Sequence, residues 1–202
     1  MKFILATKNK HKREELSRIL IALGLQPVTE EELGLEIPEV DETGTTFCQN
    51  AYLKAKSACD TPGFAAIADD SGLCVEALDG APGLYSARYG GEGSTDAQKV
   101  QKLLEALKDE TDRRAKFVSA VCCLLPNGKA LYCEGECHGT IAHAPKGEGG
   151  FGYDPVFDVE GGKSFAELSP EQKDAVSHRG IALRKFQQLL PDFLKENQYA
   201  HQ

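Results

Sequence analysis

The spacing of apolar residues changes along the N-terminal part of the chain and predicts a β-α-β opening. Lys2 to Ala6 is a short, mostly apolar run that is typical of a strand. From Lys10 to Leu23, apolar residues recur every three or four positions, which is the period of an amphipathic helix. Gly24 is the expected end of that helix, and a second strand is predicted near Leu25 to Thr29.

The middle of the chain combines two further helices with a buried strand. Thr45 to Cys59 and Asp96 to Leu107 have helical spacing. Phe64 to Ala68 is an apolar run that predicts a strand ending at Asp69-Asp70-Ser71-Gly72, and Leu73 to Ala77 is predicted to pair beside it. This pattern puts two carboxylates at a strand end, which is where active-site groups of α/β folds commonly stand.

The second half of the chain predicts antiparallel pairing and two final helices. Phe117 to Leu125 and Lys129 to Glu136 flank Pro126-Asn127-Gly128, and an Asn-Gly pair between strands is a strong hairpin signal. Ser169 to Asn197 predicts two helices with a break around Ser177-His-Arg-Gly180. The inward face of the last helix is predicted to carry Ala182, Phe186, Leu189 and Phe193, with a kink or an end at Pro191. The pattern favours one mixed α/β unit over residues 1–202.

Composition and charge narrow the classes of function. The chain has 202 residues with 31 acidic and 23 basic side chains, and its net charge of -8 argues against a general nucleic-acid binder. No apolar run approaches the roughly 20 residues of a membrane-spanning helix. The first apolar segment is too short for a signal peptide, so a cytoplasmic location is expected. The seven cysteines form no C-x-x-C knuckle and are expected to be reduced thiols.

The turn after the first strand is a candidate phosphate-binding site. It reads Thr7-Lys8-Asn9-Lys10-His11-Lys12 and stands at the start of a predicted helix. Helix N-termini expose unpaired N–H groups with positive partial charge, and lysines there oppose the helix dipole unless an anion is bound. A solvated first turn capped by Asn9 is the alternative interpretation. The glycines of a Walker A loop are absent.

Carboxylates in two segments are candidates for metal binding and acid–base chemistry. Because successive strand residues point to opposite faces, only one of Asp69 and Asp70 is expected to face a given pocket. The acidic segment that ends at Asp41-Glu42-Thr43-Gly44 would bring a second carboxylate. Together with substrate phosphates, these oxygens would suit Mg²⁺. The alternatives are an Asx turn before Gly72 and a solvated acidic loop.

Two segments near the C-terminus are candidates for binding a purine base. Gly149-Gly-Phe-Gly-Tyr-Asp154 combines flexible backbone with two aromatic rings, which can stack on a base while backbone groups reach its edge. A glycine turn with aromatic residues in the core is an equally good interpretation. His178 and Arg179 at the helix break are either a capping device or readers of the base edge.

Seven motifs in this order resemble a known family. They are Thr7-x-Asn9-x-x-Lys12, Glu42-Thr43-Gly44-x-x-Phe47, Asn50-Ala51-x-x-Lys54-Ala55, Asp69-Asp70-Ser71-Gly72, Gly80-Ala81-Pro82-Gly83-x-Tyr85-Ser86-Ala87-Arg88-Tyr89, Gly149-Gly-Phe-Gly-Tyr-Asp-Pro155 and Ser177-His-Arg-Gly180. From about Phe3 to Leu190, the chain resembles the noncanonical purine nucleoside triphosphate pyrophosphatases, also called the dITP/XTP or inosine triphosphate pyrophosphatase family. The resemblance implies a mixed α/β fold, with a twisted sheet, flanking helices and two lobes around a central cleft. It also implies a homodimer and Mg²⁺-dependent hydrolysis of XTP, ITP and dITP to the monophosphate and pyrophosphate.

The resemblance implies roles for the matching positions. By this resemblance, Asp70 is expected to be the general base and a metal ligand, and Glu42 or its neighbour Asp41 is expected to be the second metal carboxylate. The expected substrate contacts are Thr7, Asn9, Lys12, Lys54 and Ser71 and, in the nucleoside pocket, Phe151, Gly152, Tyr153, Asp154, Lys173, His178 and Arg179. Lys8, Lys10 and His11 add positive charge to the expected phosphate loop, and Lys8 stands where the family often has a small residue. A nucleotide-binding regulator and a pyrimidine-directed pyrophosphatase are the competing hypotheses.

Overall fold

A computed structural model describes residues 2–60 and 64–198. Its strands are β1 (Lys2–Leu5), β2 (Gln26–Val28), β3 (Ala65–Val75), β4 (Arg114–Leu124), β5 (Ala130–Ile141) and β6 (Phe157–Asp158). Its α-helices are α1 (Lys10–Ala22), α2 (Glu30–Leu33), α3 (Phe47–Cys59), α4 (Asp96–Ala106), α5 (Pro170–Val176) and α6 (His178–Glu196). Short 3₁₀ turns cover Glu76–Leu78, Gly83–Arg88, Asp154–Val156 and Phe165–Glu167. Within these ranges, no helix is both long enough and apolar enough to cross a membrane.

The six strands form one mixed sheet in the order β2-β1-β3-β4-β5-β6. β1 runs parallel to β2 and β3, with Ile4 opposite Val28 and Ala66. β5 and β6 are antiparallel, and β4 and β5 are joined by a tight turn in which the Leu125 N–H donates to the Lys129 carbonyl. The predicted β-α-β opening, hairpin and mixed α/β class are confirmed.

The central strand differs from its prediction. Instead of two short strands separated by a turn at Asp69-Asp70-Ser71-Gly72, β3 continues from Ala65 to Val75. Buried carboxylates inside a strand need hydrogen-bond or charge partners. Here both aspartates are buried against basic and amide groups, so the strand can continue through them. The prediction of an Asx turn or a strand end at this position is therefore wrong, and the aspartates stand in the middle of a strand.

The chain divides into two compact units, each with its own core. The first unit comprises the described residues within 1–70, 119–135 and 179–202, and the second comprises 71–118 and 136–178. In the first unit, alternate residues of β1, β3 and β4 point to two different clusters. Phe3, Ile67 and Val121 pack with α1 and α6, whereas Ile4, Ala66 and Cys122 pack with α3. The core of the second unit is richer in aromatic residues and includes Phe117, Tyr153, Phe157 and Phe165.

The last helix buries a slightly different stripe from the predicted one. Ala182 and Phe186 are buried as expected, but Leu189 is 50% exposed and Leu190 takes its place in the core. α6 also continues past Pro191 to Glu196, so the proline does not end the helix.

Candidate active site

The β1–α1 loop presents the positive end of a helix together with basic side chains. Asn9 is the N-cap of α1, and its Oδ1 accepts the Lys12 N–H at 3.0 Å. The Thr7 hydroxyl oxygen accepts the Asn9 N–H at 3.3 Å. Lys8, Lys10 and His11 are exposed, and the first turn of α1 contains no acidic residue. The predicted cap and the predicted positive surface are therefore both present, and an anion bound here would meet favourable potential.

Asp69 on β3 is the centre of a buried charged network in the first unit. Its carboxylate lies 3.1 Å from the Lys12 Nζ and 3.0 Å from the Arg179 Nη2, and it accepts a hydrogen bond from the Ser119 hydroxyl. The other Nη of Arg179 donates to Glu15. Two basic and two acidic groups thus compensate one another, as burial of charge requires.

This network and its burial lower the pKa values of both Asp69 and Lys12, for different reasons. Burial works against the charged form of Asp69, but Arg179 and Lys12 outweigh it and hold the pKa of the carboxyl well below its usual range. Burial lowers the pKa of the Lys12 ammonium, and the attraction of Asp69 offsets only part of that effect. Asp69 therefore stays ionised, and it anchors the ammonium of the predicted phosphate ligand.

Asp70 contacts a second and separate set of partners. Lys54 on α3 donates from Nζ to Asp70 Oδ1 at 2.7 Å, and Asn50 donates from Nδ2 to Asp70 Oδ2 at 3.2 Å. The Lys54 Nζ also lies 2.7 Å from Glu42 Oε1. Both oxygens of the Asp70 carboxylate therefore accept a hydrogen bond from a side chain of α3. Burial opposes the charge of Lys54, but Asp70 and Glu42 outweigh it and raise the pKa of the ammonium.

The chemistry of this donor set fits a divalent cation held jointly with substrate phosphates. Within residues 2–60 and 64–198, no three His, Cys, Asp or Glu side chains stand together as a complete metal site. Glu42 and Asp70 nevertheless converge on one cationic group, the Lys54 ammonium, and Mg²⁺ commonly takes only one or two protein carboxylates. Asp41 is exposed, whereas Glu42 is part-buried beside Asp70's partner. This difference favours Glu42 over Asp41 as the second metal carboxylate.

The second unit contains a buried ion pair covered by aromatic rings. The Lys173 Nζ lies 2.6 Å from Asp154 Oδ2, which also accepts the Phe151 N–H at 2.8 Å. The same ammonium stands 4.8 Å from the centre of the Phe151 ring and 5.5 Å from that of Phe165. Gly150 has φ of 71°, and a Cβ there would overlap Asp154, so the loop needs glycine to pass this close to the carboxylate.

His178 belongs to the same aromatic cluster, but Tyr153 serves the core. The His178 ring stacks on Phe117 with centroids 4.7 Å apart and an interplanar angle of 11°. Tyr153 is 4% exposed and its hydroxyl donates to the Ser86 carbonyl at 2.9 Å, so its ring matches the alternative prediction of a core aromatic. The Gly152 N–H donates to Asp96 at 2.7 Å.

The predicted site residues thus fall into two clusters, one in each unit. The first unit brings together Lys12, Glu42, Lys54 and Asp70; the second brings together Phe151, Asp154, Lys173 and His178, and Ser71 stands part-buried where β3 enters that unit. Arg179 lies in the first unit, and its expected contact with the nucleoside stays a prediction. Both of its Nη atoms are engaged in the network of Asp69 and Glu15. The physical reason is that a buried guanidinium needs carboxylate partners, and these lie in the first unit.

Sequence reasoning missed several residues of these clusters. Glu15 and Ser119 complete the buried network around Asp69, Asn50 contacts Asp70, and Phe117 and Phe165 pack near the His178 ring. Glu15 carried a detectable signal, because it is an acidic residue next to Leu16 on the inward stripe of α1. Ser119 and Phe117 carried none, because their partners are far away in the sequence.

Comparisons with known proteins agree with the motif order. The profile of the Ham1 family matches residues 3–189. The chain is 49% identical over 197 residues to a protein of Exiguobacterium sp. named dITP/XTP pyrophosphatase, covering 96% of this chain and 100% of that protein. It is 50% identical over 188 residues to the Shigella flexneri protein of the same name, with 91% and 94% covered. A solved HAM1 protein from Coxiella burnetii superposes with a TM-score of 0.85 at 41% identity, covering 95% of this chain and 99% of that one. This chain therefore belongs to the Ham1 family.

Proposed function

We propose that this protein hydrolyses noncanonical purine nucleoside triphosphates (XTP, ITP and dITP) to the monophosphate and pyrophosphate. The observation that carries the proposal is the Asp70 carboxylate, which is held by Lys54 and Asn50 beside Glu42 in a chain whose relatives are named dITP/XTP pyrophosphatases. Removing such nucleotides from the pool keeps them out of DNA and RNA.

Asp70 is the general base of the proposed reaction. Its carboxylate accepts a proton from water as the water oxygen attacks phosphorus. The bond between the attacked α-phosphorus and the oxygen that bridges the α- and β-phosphates breaks, and pyrophosphate leaves with the electron pair. No covalent intermediate and no cysteine is needed.

The β1–α1 loop and α3 bind the polyphosphate in this scheme. Lys12 and Lys54 supply positive charge, and Thr7, Asn9 and the N–H groups of the first turn of α1 supply hydrogen bonds. Lys8, Lys10 and His11 raise the local potential from exposed positions. Local basic groups therefore bind a small polyanion although the whole chain is acidic.

Glu42 and Asp70 would hold Mg²⁺, with Asp41 as the weaker candidate. When bound with the substrate, the ion neutralises phosphate charge and lowers the cost of bringing water to phosphorus. Lys54 bridges the two carboxylates at 2.7 Å from each, so a substrate phosphate that attracts its ammonium would make both carboxylates available to the ion.

Base recognition is assigned to the second cluster. We expect the 6-keto oxygen of hypoxanthine or xanthine to accept hydrogen bonds from Arg179, His178 or backbone N–H groups, with Lys173 and Ser71 as further substrate contacts. Adenine has an amino donor at the same position and leaves such donors unpaired, which disfavours it. The ring of Phe151, which lies beside the Lys173 ammonium, is the better placed of the two loop aromatics to face a base, because Tyr153 is buried.

A substrate panel tests the proposal. Purified protein with Mg²⁺ is incubated with dITP, XTP, ATP, GTP, dCTP and dUTP, and pyrophosphate, orthophosphate and monophosphates are quantified. We expect dITP and XTP to give monophosphate and pyrophosphate much faster than ATP. Orthophosphate as the product, or equal rates on ATP and dITP, would contradict the proposal. Binding without turnover would identify a regulator, and preference for dUTP or dCTP would identify a pyrimidine-directed enzyme.

The assembly and the location follow from the family resemblance and the sequence. We expect a homodimer in the cytoplasm. Light scattering coupled to size exclusion tests the first expectation, because a monomer would elute near the chain mass of 21.9 kDa.

A further inference from the structure

The side chain of Asn50 connects three segments of the first unit. It is 1% exposed and projects from α3. Its Nδ2 donates to Asp70 Oδ2 at 3.2 Å, and its Oδ1 accepts the Gly44 N–H at 2.8 Å. One amide therefore joins the helix to the strand that carries the proposed base and to the connection that carries Glu42.

The orientation of this amide is fixed by its partners. A backbone N–H can only donate, so the carbonyl oxygen of Asn50 must face Gly44. The NH₂ group must then face Asp70, where it donates to the carboxylate oxygen Oδ2. Leucine has nearly the same shape but can make neither bond, and alanine leaves the space empty. Of the similar side chains, only asparagine satisfies both partners at once.

Gly44 allows the backbone to come this close. A Cβ at Gly44 would lie 2.6 Å from the Asn50 Oδ1 and 2.7 Å from the Gln49 Cβ, so a larger residue would push the amide away. Glu42 stands two residues before this contact and is itself bound to Lys54. The segment with the proposed metal carboxylate is thus linked to Asp70 twice, by the charged Lys54 and by the neutral Asn50.

The two links respond differently to a polyphosphate. Lys54 carries a positive charge and is also a proposed phosphate ligand, so a bound triphosphate competes with Asp70 for its ammonium. Asn50 carries no charge and is buried, so a phosphate does not draw it away. The amide is therefore the link that persists while the nucleotide is bound.

We infer that Asn50 is a positioning residue that keeps the Asp70 carboxylate and the segment carrying Glu42 in a fixed relative position during turnover. It does not touch the reacting atoms and acts through Asp70. The inference rests on the proposed function, because it gives Asp70 the role of base. Misplacement of a reacting group by about 1 Å costs on the order of 100-fold in rate, so loss of the amide is expected to lower kcat about 10- to 100-fold.

Two substitutions at this position and one outside it test the inference. Asn50→Leu fills the space without hydrogen bonds, Asn50→Ala leaves it empty, and Gly44→Ala displaces the amide while keeping it. Asn127→Ala and Asn127→Leu are matched controls, because Asn127 is an exposed amide in the β4–β5 turn. The measurements are kcat and KM for dITP, Tm, and hydrogen exchange of the Gly44 amide by NMR.

We expect both Asn50 variants to lose kcat about 10- to 100-fold with KM changed less than about threefold, and the Gly44 amide to exchange faster. If Asn50 only fills space, Asn50→Leu restores kcat relative to Asn50→Ala, and the inference is overturned. A kcat within about twofold of wild type in both variants overturns it as well. If both variants fail to fold, Gly44→Ala decides by the same kcat criterion. Wild-type protein that does not hydrolyse dITP refutes the proposed function instead, while the Gly44 exchange rate still reports on the hydrogen bond.

Discussion

Each unit of the molecule buries a lysine–carboxylate pair, and the surroundings of the two pairs differ. Lys54 and Asp70 in the first unit are 2.7 Å apart; Lys54 also contacts Glu42, and Asp70 also accepts from Asn50. Lys173 and Asp154 in the second unit are 2.6 Å apart, and their neighbours are aromatic rings. The same pair of residue types is thus placed once among other polar groups and once among π-systems.

This difference in surroundings indicates which part of a nucleotide each lysine–carboxylate pair is suited to bind. A polyphosphate carries several charges, so its site needs several cations and carboxylates that can exchange partners as the charge moves. A purine base is flat and neutral, so its site needs ring faces and a few fixed donors. A lysine–carboxylate pair alone would not distinguish the two tasks, and the groups around it do.

Asp70→Asn gives the largest expected effect and tests the first pair. An amide of the same shape cannot accept the proton from water, so kcat for dITP is expected to fall about 10²- to 10⁴-fold, the usual contribution of a general base. Nucleotide binding, measured by calorimetry, is expected to remain. Asp109→Asn is the control, because that carboxylate is exposed beyond α4. Activity of Asp70→Asn within about tenfold of wild type would remove Asp70 from the role of base.

Arg179→Met tests whether Arg179 belongs to the charged network of the first unit. The substitution leaves Glu15 and Asp69 short of a buried cation, and we expect a loss of about 3–5 kcal/mol in the free energy of unfolding. Urea denaturation measures it. Arg114→Met, which removes an exposed guanidinium paired with Asp112, is expected to leave Tm unchanged. A stable Arg179→Met protein with a changed preference for dITP over dATP would instead support the predicted role of Arg179 in base recognition.

His178→Ala tests the second cluster, in the residue that directly precedes Arg179. Loss of one buried donor is worth about 1–3 kcal/mol, so the ratio of kcat/KM for dITP over dATP is expected to fall about 10- to 100-fold. His138→Ala is the control, since His138 is exposed on β5 beside Glu136. An unchanged ratio with a lower Tm would mean that His178 only supports its aromatic neighbours.

Lys12→Ala and Lys8→Ala compare an anchored charge with an exposed charge in the phosphate loop. Lys12 is anchored by Asp69 at 3.1 Å, whereas Lys8 is exposed. Removing one charge-assisted hydrogen bond to phosphate is expected to raise KM for dITP about tenfold in Lys12→Ala. Lys8→Ala is expected to have a smaller effect that disappears at high salt, because exposed charges are screened. Equal effects at both positions would contradict this distinction.

The order of the elements followed from the sequence because their signals are local. Helical spacing, the stop at Gly24 and the Asn127-Gly128 turn each depend on residues within a few positions of one another. The Asp69-Asp70-Ser71-Gly72 segment was misassigned for the opposite reason. Its polar side chains suggest a turn, and only distant partners such as Lys12 and Lys54 allow the strand to continue through them.

The candidate site was predictable in its residue types and less so in its grouping. The motifs and the family resemblance named Asp70, Lys54 and Lys173 without any structure. They gave Arg179 the same environment as His178, because adjacent residues of one motif look like one functional group. In the structure, the boundary between the two units falls between these two residues.

By itself, the sequence determined most of the helices and strands, the positive loop before α1 and the Ham1 motifs, because each is encoded by neighbouring residues. Only the tertiary structure decided that Asp69 anchors Lys12 while Asp70 faces Lys54, and that Asn50 holds the proposed base. Alternation along β3 sends the two aspartates to opposite faces, but the burial and partner on each face are set by segments up to 110 residues away. Partners at such separations leave no local pattern, so folding alone brings them together.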